Sequence, residues 1–445
     1  MSEFKKPSTQ AEFEANFRQI KPLMSETEAY YESSRCLFCY DAPCVNACPT
    51  GIDIPLFIRQ INSKNDLGAA RTIYNSNYFG YACGKVCPTE VLCEGACVYN
   101  HSAVKPIEIG RLQSYAAAKA IAGDKMFYTP GAPANKKVAV IGAGPAGIGC
   151  ACELRLHGVE VDIFEAKAMP SGLTLHGVAP YKITNTETLA EMAWLELQFG
   201  FKVYYNRKIS TAKDIEQLEK NYDAIFIGIG LGETSGLNIP GENLENVLGA
   251  VEFIEQLRLR QHHVSMPGKV IVLGGGNTAM DAASESARLG SSPVLLAYRR
   301  SREEMGAYGF EYDLAKSVGV KALFNAMPVE IIGSPDKATA VRFVRTRLNT
   351  GKVEAIPGSE FTETCDWVIK ATGQAKDNPL FRLIDGLKTN SNGTIWVNEH
   401  FQTANPKYFA AGDGVSGGQE VVNAVADGKK AALNIINSYK PSKPL

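Results

Sequence analysis

The chain has 445 residues, enough for about three domains at roughly 150 residues each. With 46 Lys+Arg against 47 Asp+Glu its net charge is -1, so no basic excess draws it to nucleic acid or anionic lipid. The opening MSEFKKPSTQAEFEANF is polar and no apolar run approaches the ~18 residues a bilayer crossing needs. Neither a secretory leader nor a membrane span is expected, and the expected location is the cytoplasm.

In chain order, residues 1 to about 122 read as short helices and loops. IPLFIRQI and DLGAARTIYN have helical apolar spacing, and IEIGRLQSYAAAKAIAG reads as a helix ending at Gly123. The stretch 124–135, with Pro130, Gly131 and Pro133, reads as a linker. The texture then changes. KKVAVIG and VEVDIFEA are buried strands on either side of a helix, and alternating strands and helices follow, which predicts parallel sheets with crossover helices. A second such unit opens at GKVIVLGGGNTAMD. It is bracketed by the strand-to-glycine turns YDAIFIGIG and CDWVIKATG. The simplest topology inserts one dinucleotide domain, about 233–370, into another, about 124–232 plus 371–445.

Eight of the 11 cysteines fall between Cys36 and Cys97. In a reducing compartment such crowding points to metal or redox centres, not disulfides. The first run, RCLFCYDAPCVNACPT, holds Cys36, Cys39, Cys44 and Cys48; the second, YACGKVCPTEVLCEGACVYN, holds Cys83, Cys87, Cys93 and Cys97. Turns at these gaps bring each sulfur inward to wrap a compact cluster, and cysteine before proline resembles bacterial ferredoxin runs. Zinc prefers paired CxxC motifs; one occurs here, and the other gaps are three, four and five residues. Cys150, Cys152 and Cys365 read as buried small apolar residues. The six histidines show no ligand spacing with the cysteines.

VAVIGAGPAGIGCACELRLHG carries Gly142, Gly144 and Gly147 in G-x-G-x-x-G register between strand and helix. Such a turn lets backbone amides and a helix N-terminus approach a pyrophosphate. Glu165 ends the next strand, 18 residues past Gly147, where a carboxylate accepts from ribose hydroxyls. In YFAAGDGVSGGQEVVNAVADGKKAA, Asp413 follows a strand and can bind a ribityl chain, and the next helix can aim its N-terminus at a flavin ring. VIVLGGGNTAMDAASESARLG places Gly274, Gly276 and Ala279 in G-x-G-x-x-A register. The following strand ends in Tyr298-Arg299-Arg300, not in an acid, which leans toward NADP(H) over NAD(H). Two nucleotide sites beside cysteine-held clusters imply a relay: hydride passes from nicotinamide to flavin, then single electrons pass to iron and sulfur. No side chain is expected to serve as catalytic acid or base.

The cysteine runs, with the GKVCPTEVLCEGAC block and PIEIGRLQSYA, resemble the flavoprotein half of dihydropyrimidine dehydrogenases over essentially the whole chain, and the related glutamate synthase small subunit shares the plan. The resemblance implies an α+β multi-domain fold. An α-helical iron–sulfur domain, 1–123, precedes two α/β Rossmann-like dinucleotide-binding domains, for FAD at 124–232 and 371–445 and for NAD(P) at 233–370. It also implies two 4Fe–4S clusters, one on Cys36, Cys39, Cys44 and Cys97, the other on Cys48, Cys87, Cys93 and the amide of Gln113. Cys83 is then a spare thiol, whereas spacing alone favours Cys83 over Gln113. FAD is expected at Gly142, Ala143, Gly144, Pro145, Ala146, Gly147, Glu165, Gly172, Leu173, Lys182, Gly412, Asp413 and Val421. NAD(H) or NADP(H) is expected at Gly275, Gly276, Asn277, Thr278, Arg299, Arg300, Ala371, Thr372 and Gly373. Where fused NADP-using enzymes of the family place a further arginine, this chain has Gly306.

The expected activity is the electron input of dihydropyrimidine dehydrogenase, which converts uracil and thymine reversibly to 5,6-dihydropyrimidines. No FMN barrel is read in the chain, so an FMN- and iron–sulfur-containing partner subunit is expected. The alternatives are a glutamate synthase small subunit, an NAD(P)H:ferredoxin-type oxidoreductase subunit or, in another class, a zinc-bound nucleotide-binding scaffold.

Overall fold

Ile54, Phe57, Ile58 and Ile61 recur at helical steps, and all four are buried on one side of the helix Ile54–Asn62, which Asp53 caps by accepting from the Leu56 N–H. The computed structural model describes residues 4–123 and 125–439. Residues 124 and 440–445, at the edges of the expected linker and of the last expected FAD segment, lie outside that range. The helices Glu26–Ser34, Asp66–Ser76, Gly80–Val86 and Ile109–Ile121 complete the layer around the cysteine loops.

Among the described residues the chain divides into two compact units. One comprises 20–175, 182–231 and 376–439, so the cysteine region and the first glycine motif share a unit. Its sheet runs in the order Tyr408–Ala410, Ala224–Ile227, Lys137–Ile141, Glu160–Phe164, Lys202–Tyr204, all parallel. The glycine turn leaves the central strand Lys137–Ile141 and enters the helix Pro145–Leu156. In an all-parallel sheet of this kind the strand-to-helix loops lie at the carboxyl ends of the strands, where such sheets bind ligands.

The other unit comprises 4–19, 176–181 and 232–375. Its parallel sheet runs Val247–Gly249, Trp367–Lys370, Val270–Leu273, Val294–Ala297, Lys321–Leu323. The sequence reading grouped residues 1–123, but Phe13 and Phe17, stacked with ring centroids 4.4 Å apart, enter the apolar core of this nucleotide unit. Ala179 and Tyr181 enter the same core. An antiparallel sheet that the sequence reading did not separate from the alternating pattern is built on the long strand Ala338–Asn349, which pairs with Ala326–Gly333, Lys352–Ala355 and Phe361–Thr364.

One buried carboxylate ties the cysteine helices to the flavin-type fold. Glu191, on the helix Asn185–Phe199, is 1% exposed. It accepts from the backbone N–H groups of Tyr81 at 2.6 Å and Ala82 at 3.0 Å, and from the Tyr74 hydroxyl at 2.9 Å. The two amides are first-turn donors of Gly80–Val86, which have no partner within the helix. Burial pushes the Glu191 carboxyl up to about 7, against the pull of its three donors. The unfolded chain loses this proton near pH 4.5, so between roughly pH 4.5 and 7 the folded state binds the extra proton, and stability falls as pH rises. Glu191→Gln abolishes this slope. Denaturation midpoints followed from pH 4.5 to 7.5 are expected to shift in the variant's favour by on the order of 3 kcal/mol relative to wild type.

Candidate iron–sulfur and dinucleotide sites

The loop from Cys36 to Cys44 bends twice through left-handed backbone, at Phe38 with φ 52° and Ala42 with φ 25°. These bends bring Cys36, Cys39 and Cys44 to line a single cavity with Cys97, among apolar neighbours such as Ile54, Ile58 and Ile109. A second cavity is lined by Cys48, Cys83, Cys87, Cys93 and Gln113, with Ile52, Leu92 and Val422. The two cysteine runs thus interleave, Cys48 of the first run joining the second cavity and Cys97 of the second run joining the first. Among the described residues no three His, Cys, Asp or Glu side chains converge on one ion-sized centre. The cysteines stand instead around the walls of the two cavities.

The electrostatics agree with that chemistry. Burial, with Cys36 and Cys97 adding to it, pushes the Cys44 thiol up to about 12. Cys36 is raised by burial first and then by Cys39 and Cys97. Cys93 is raised by burial, and Cys87 by a hydrogen bond with Cys83 and then by burial. Protein alone therefore keeps these sulfurs protonated, whereas coordinated iron makes the thiolate the favoured state. Gln113 is 6% exposed, and its Nε2 donates to the Gly80 carbonyl at 2.7 Å. That bond occupies the amide nitrogen and leaves the carbonyl oxygen as the donor atom available to the second cavity.

In the same unit the flavin-type cradle is built by close approach. A Cβ on Gly147 would meet the Gly142 oxygen at 2.0 Å, so only glycine lets the helix Pro145–Leu156 start there. Glu165 is buried, accepting from Ala143 N–H and Lys167 N–H at 2.8 Å each. Gly172 lies against Gly144, with half-buried Leu173 beside it, and Lys182 is buried. From the other end of the chain, Gly412 packs on Ala146, and Gly428 approaches so closely that its Cβ would meet the Ala146 oxygen at 2.1 Å. These contacts bring the N-terminus of Pro145–Leu156 against the start of Asp413–Ser416 and against the middle of Val421–Ser438. Asp413 accepts from Gln419 N–H at 3.0 Å; burial, with Asp427 nearby, raises its carboxyl. Sequence reasoning missed Gly428 and Val422; the small-residue run AVADGKKAA was the available signal for the first.

In the nucleotide unit Gly274 abuts the Ala371 carbonyl, and Thr372 Oγ1 donates to Ser235 O at 2.6 Å, with Gly373 accepting from Ser235 N–H at 2.8 Å. The Ala371–Gly373 turn is thereby held beside the glycine motif. Gly275 packs on the Tyr298 ring and accepts from Ala307 N–H at 2.9 Å, and Asn277 Oδ1 accepts from Tyr308 N–H at 3.0 Å. Thr278 and Arg299 are exposed. Half-buried Arg300 has an Nε with no hydrogen-bond partner. Gly306 is open, its nearest neighbour being Gly275 O at 4.0 Å from an added Cβ; Arg302 stacks on Tyr312 with its guanidinium 4.3 Å from the ring centroid. Gly276 caps Asn277–Arg288 with φ -96°, and a Cβ there meets nothing within 4 Å. Neither backbone conformation nor protein packing demands glycine at 276. An open glycine at a helix N-terminus is the kind of place where a phosphate can approach the backbone amides.

The family model described as dihydropyrimidine dehydrogenase domain II, 4Fe-4S cluster, matches residues 13–125, and the pyridine nucleotide-disulphide oxidoreductase model matches residues 136–428. The chain belongs to the pyridine nucleotide-disulphide oxidoreductase family. It is 35% identical to the NAD-dependent dihydropyrimidine dehydrogenase subunit PreT of Escherichia coli O157:H7, over 93% of this chain and 95% of that protein. It is 33% identical to the glutamate synthase (NADPH) small chain of Escherichia coli K12, over 95% and 93%. Two solved structures share the fold at 19% identity. Mycobacterium tuberculosis FprA in complex with NADPH has a TM-score of 0.57 over 69% of this chain and 85% of its own. A 2-naphthoyl-CoA reductase has a TM-score of 0.55 over 86% of this chain and 49% of its own. The oxidoreductase is therefore a flavoprotein with a 4Fe–4S domain and binding folds for FAD and a nicotinamide dinucleotide.

Gly276→Ala is expected to fold and to keep wild-type flavin absorbance while weakening nicotinamide dinucleotide binding at least about tenfold, or ~1.4 kcal/mol, in equilibrium titration.

Proposed function

We propose that this chain is the electron-input subunit of a dihydropyrimidine dehydrogenase. It passes electrons from NAD(P)H through FAD and two 4Fe–4S clusters to an FMN- and iron–sulfur-containing partner that interconverts uracil or thymine and their 5,6-dihydro forms. The observation that carries the reading is the pair of interleaved cysteine cavities in the same compact unit as the FAD-type cradle. Of the expected domains, 1–123 for the clusters, 124–232 and 371–445 for FAD and 233–370 for the nicotinamide dinucleotide, the assignment is kept except that 4–19 and 176–181 go with the nicotinamide dinucleotide unit. The protein is placed in the cytoplasm.

FAD held here would supply the exchange between two-electron hydride and one-electron chemistry, and clusters held by the cysteines would supply one-electron capacity. The chain's own residues bind and orient. Cys36, Cys39, Cys44 and Cys97 hold one cluster, and Cys48, Cys87, Cys93 and Gln113 hold the other. Gly142 to Gly147 and the helix N-terminus behind them receive the FAD pyrophosphate, Glu165 the ribose, and Asp413 the ribityl chain. Gly172, Leu173, Lys182, Gly412 and Val421 border the flavin. Gly275, Gly276, Asn277 and Thr278 receive the second pyrophosphate, with the Ala371–Gly373 turn alongside. Arg299 and Arg300 face the adenosine 2′ position, the group that distinguishes NADP(H) from NAD(H).

Assay of the anaerobic holoenzyme with an FMN-bearing partner subunit is expected to show NAD(P)H consumption dependent on uracil or thymine. Turnover with glutamine and 2-oxoglutarate in place of pyrimidine assigns the chain to the glutamate synthase branch instead. A colourless preparation holding zinc, without labile sulfide or flavin, overturns the redox reading altogether. Replacing Arg299 and Arg300 together with alanine is expected to lower the NADPH-to-NADH ratio of kcat/KM more than about tenfold, since a phosphate loses its charge-assisted partners.

A further inference from the structure

Asn77 closes the helix Asp66–Ser76, its backbone N–H donating to the Ile73 carbonyl at 2.9 Å, and it lines the second cysteine cavity. Its side chain is fully buried. Oδ1 accepts from the Phe79 N–H at 2.9 Å, a local turn that leads into the helix Gly80–Val86. A donor facing that atom requires oxygen there, so the amide nitrogen occupies the other arm. Nδ2 is buried and has no hydrogen-bond partner in the protein. Leaving such a donor unmade is costly, and folded interiors seldom do so without a purpose.

The turn is held from both sides. Lys429 Nζ donates to the Asn75 and Ser76 carbonyls at 2.9 Å each, and the Tyr78 hydroxyl donates to Glu153 at 2.7 Å. The other polar groups of this wall are engaged. Thr89 Oγ1 accepts from Lys21 Nζ at 2.8 Å and donates to Glu90 at 3.3 Å, and Gln113 Nε2 donates to Gly80. Asn77 therefore brings an unspent donor to a cavity whose walls carry the sulfurs of Cys48, Cys87 and Cys93. The first cavity has no counterpart. Tyr99 is the one polar residue besides cysteine in its lining, and its hydroxyl is spent on the Arg35 carbonyl at 2.6 Å.

We propose that the Asn77 side-chain amide donates a hydrogen bond to a sulfur of the cluster in the second cavity and raises the reduction potential of that cluster alone. The inference rests on the cluster reading above. A hydrogen bond onto cluster sulfur draws negative charge off it and favours the reduced form, which carries one more electron. The amide keeps its protons throughout and changes no oxidation state.

The test uses the full-length anaerobic holoprotein. Asn77 is the one asparagine among the residues lining either cavity, so asparagine carrying the heavy nitrogen isotope in its side-chain amide labels this contact selectively. Pulsed electron paramagnetic resonance of the reduced wild-type protein is expected to show a nitrogen coupling to one cluster that changes with the isotope. Asn77→Ser keeps an acceptor for the Phe79 N–H and has no amide arm. It is expected to retain iron, acid-labile sulfide and flavin while the midpoint of that cluster falls and the other stays in place. At a fixed potential its reduced-to-oxidised ratio is expected to drop about tenfold, or ~59 mV for one electron. Absence of the isotope-sensitive coupling overturns the proposal, and that measurement stands even where the variant does not assemble. An unchanged midpoint, or an equal shift in both clusters, overturns it as well. Wild-type protein without iron and sulfide fails the cluster reading itself, an outcome distinct from any of these.

Discussion

Crowding thiols inside dry walls is the constraint from which the rest follows. A buried thiolate is disfavoured by lost hydration, and each neighbour of like charge worsens it. The raised thiols of Cys36, Cys44, Cys87 and Cys93 record this cost in the bare protein. Iron reverses the balance, since its positive charge makes ionised sulfur the stable form.

The helices cannot close around such cavities without help, because the Gly80–Val86 helix begins inside the unit with its first amides away from water. Glu191 answers this from another element, and Tyr74 adds a third donor to the same carboxylate. A parallel arrangement joins Tyr78 to buried Glu153 at 2.7 Å, linking the cysteine region to the helix that opens at the first glycine motif. Polar contacts inside the core thus register the cluster-bearing layer on the flavin-type sheet, where apolar contact alone leaves the angle free.

Much of this was legible in the residues. Glycine spacing between a buried strand and an amphipathic helix has a single geometric meaning, and both motifs occupy the predicted turns. The cysteine runs announced iron and sulfur, but their interleaving did not follow from the gaps: it depends on the left-handed bends at Phe38 and Ala42, which no propensity encodes for phenylalanine or alanine. Gln113 was singled out through resemblance alone, since a glutamine on a helix is ordinarily a surface residue, whereas this one is buried and its amide nitrogen is held by a carbonyl 33 positions away. The membership of Phe13 and Phe17 in the nucleotide unit was hidden for a similar reason. Two aromatic residues on a short helix specify that something apolar must cover them, not which distant segment does so. The antiparallel sheet around Ala338–Asn349 escaped because its pairing with Ala326–Gly333 shifts register twice, which breaks the simple alternation.

The helix Val421–Ser438 belongs at once to the flavin cradle, through Gly428 on Ala146, and to the second cysteine cavity, through Val422. A single stiff rod thus fixes how the second cysteine cavity stands against the first glycine motif. Because a Cβ at Gly428 would meet the Ala146 oxygen at 2.1 Å, a bulkier residue there would lever the rod off that motif and carry Val422 with it.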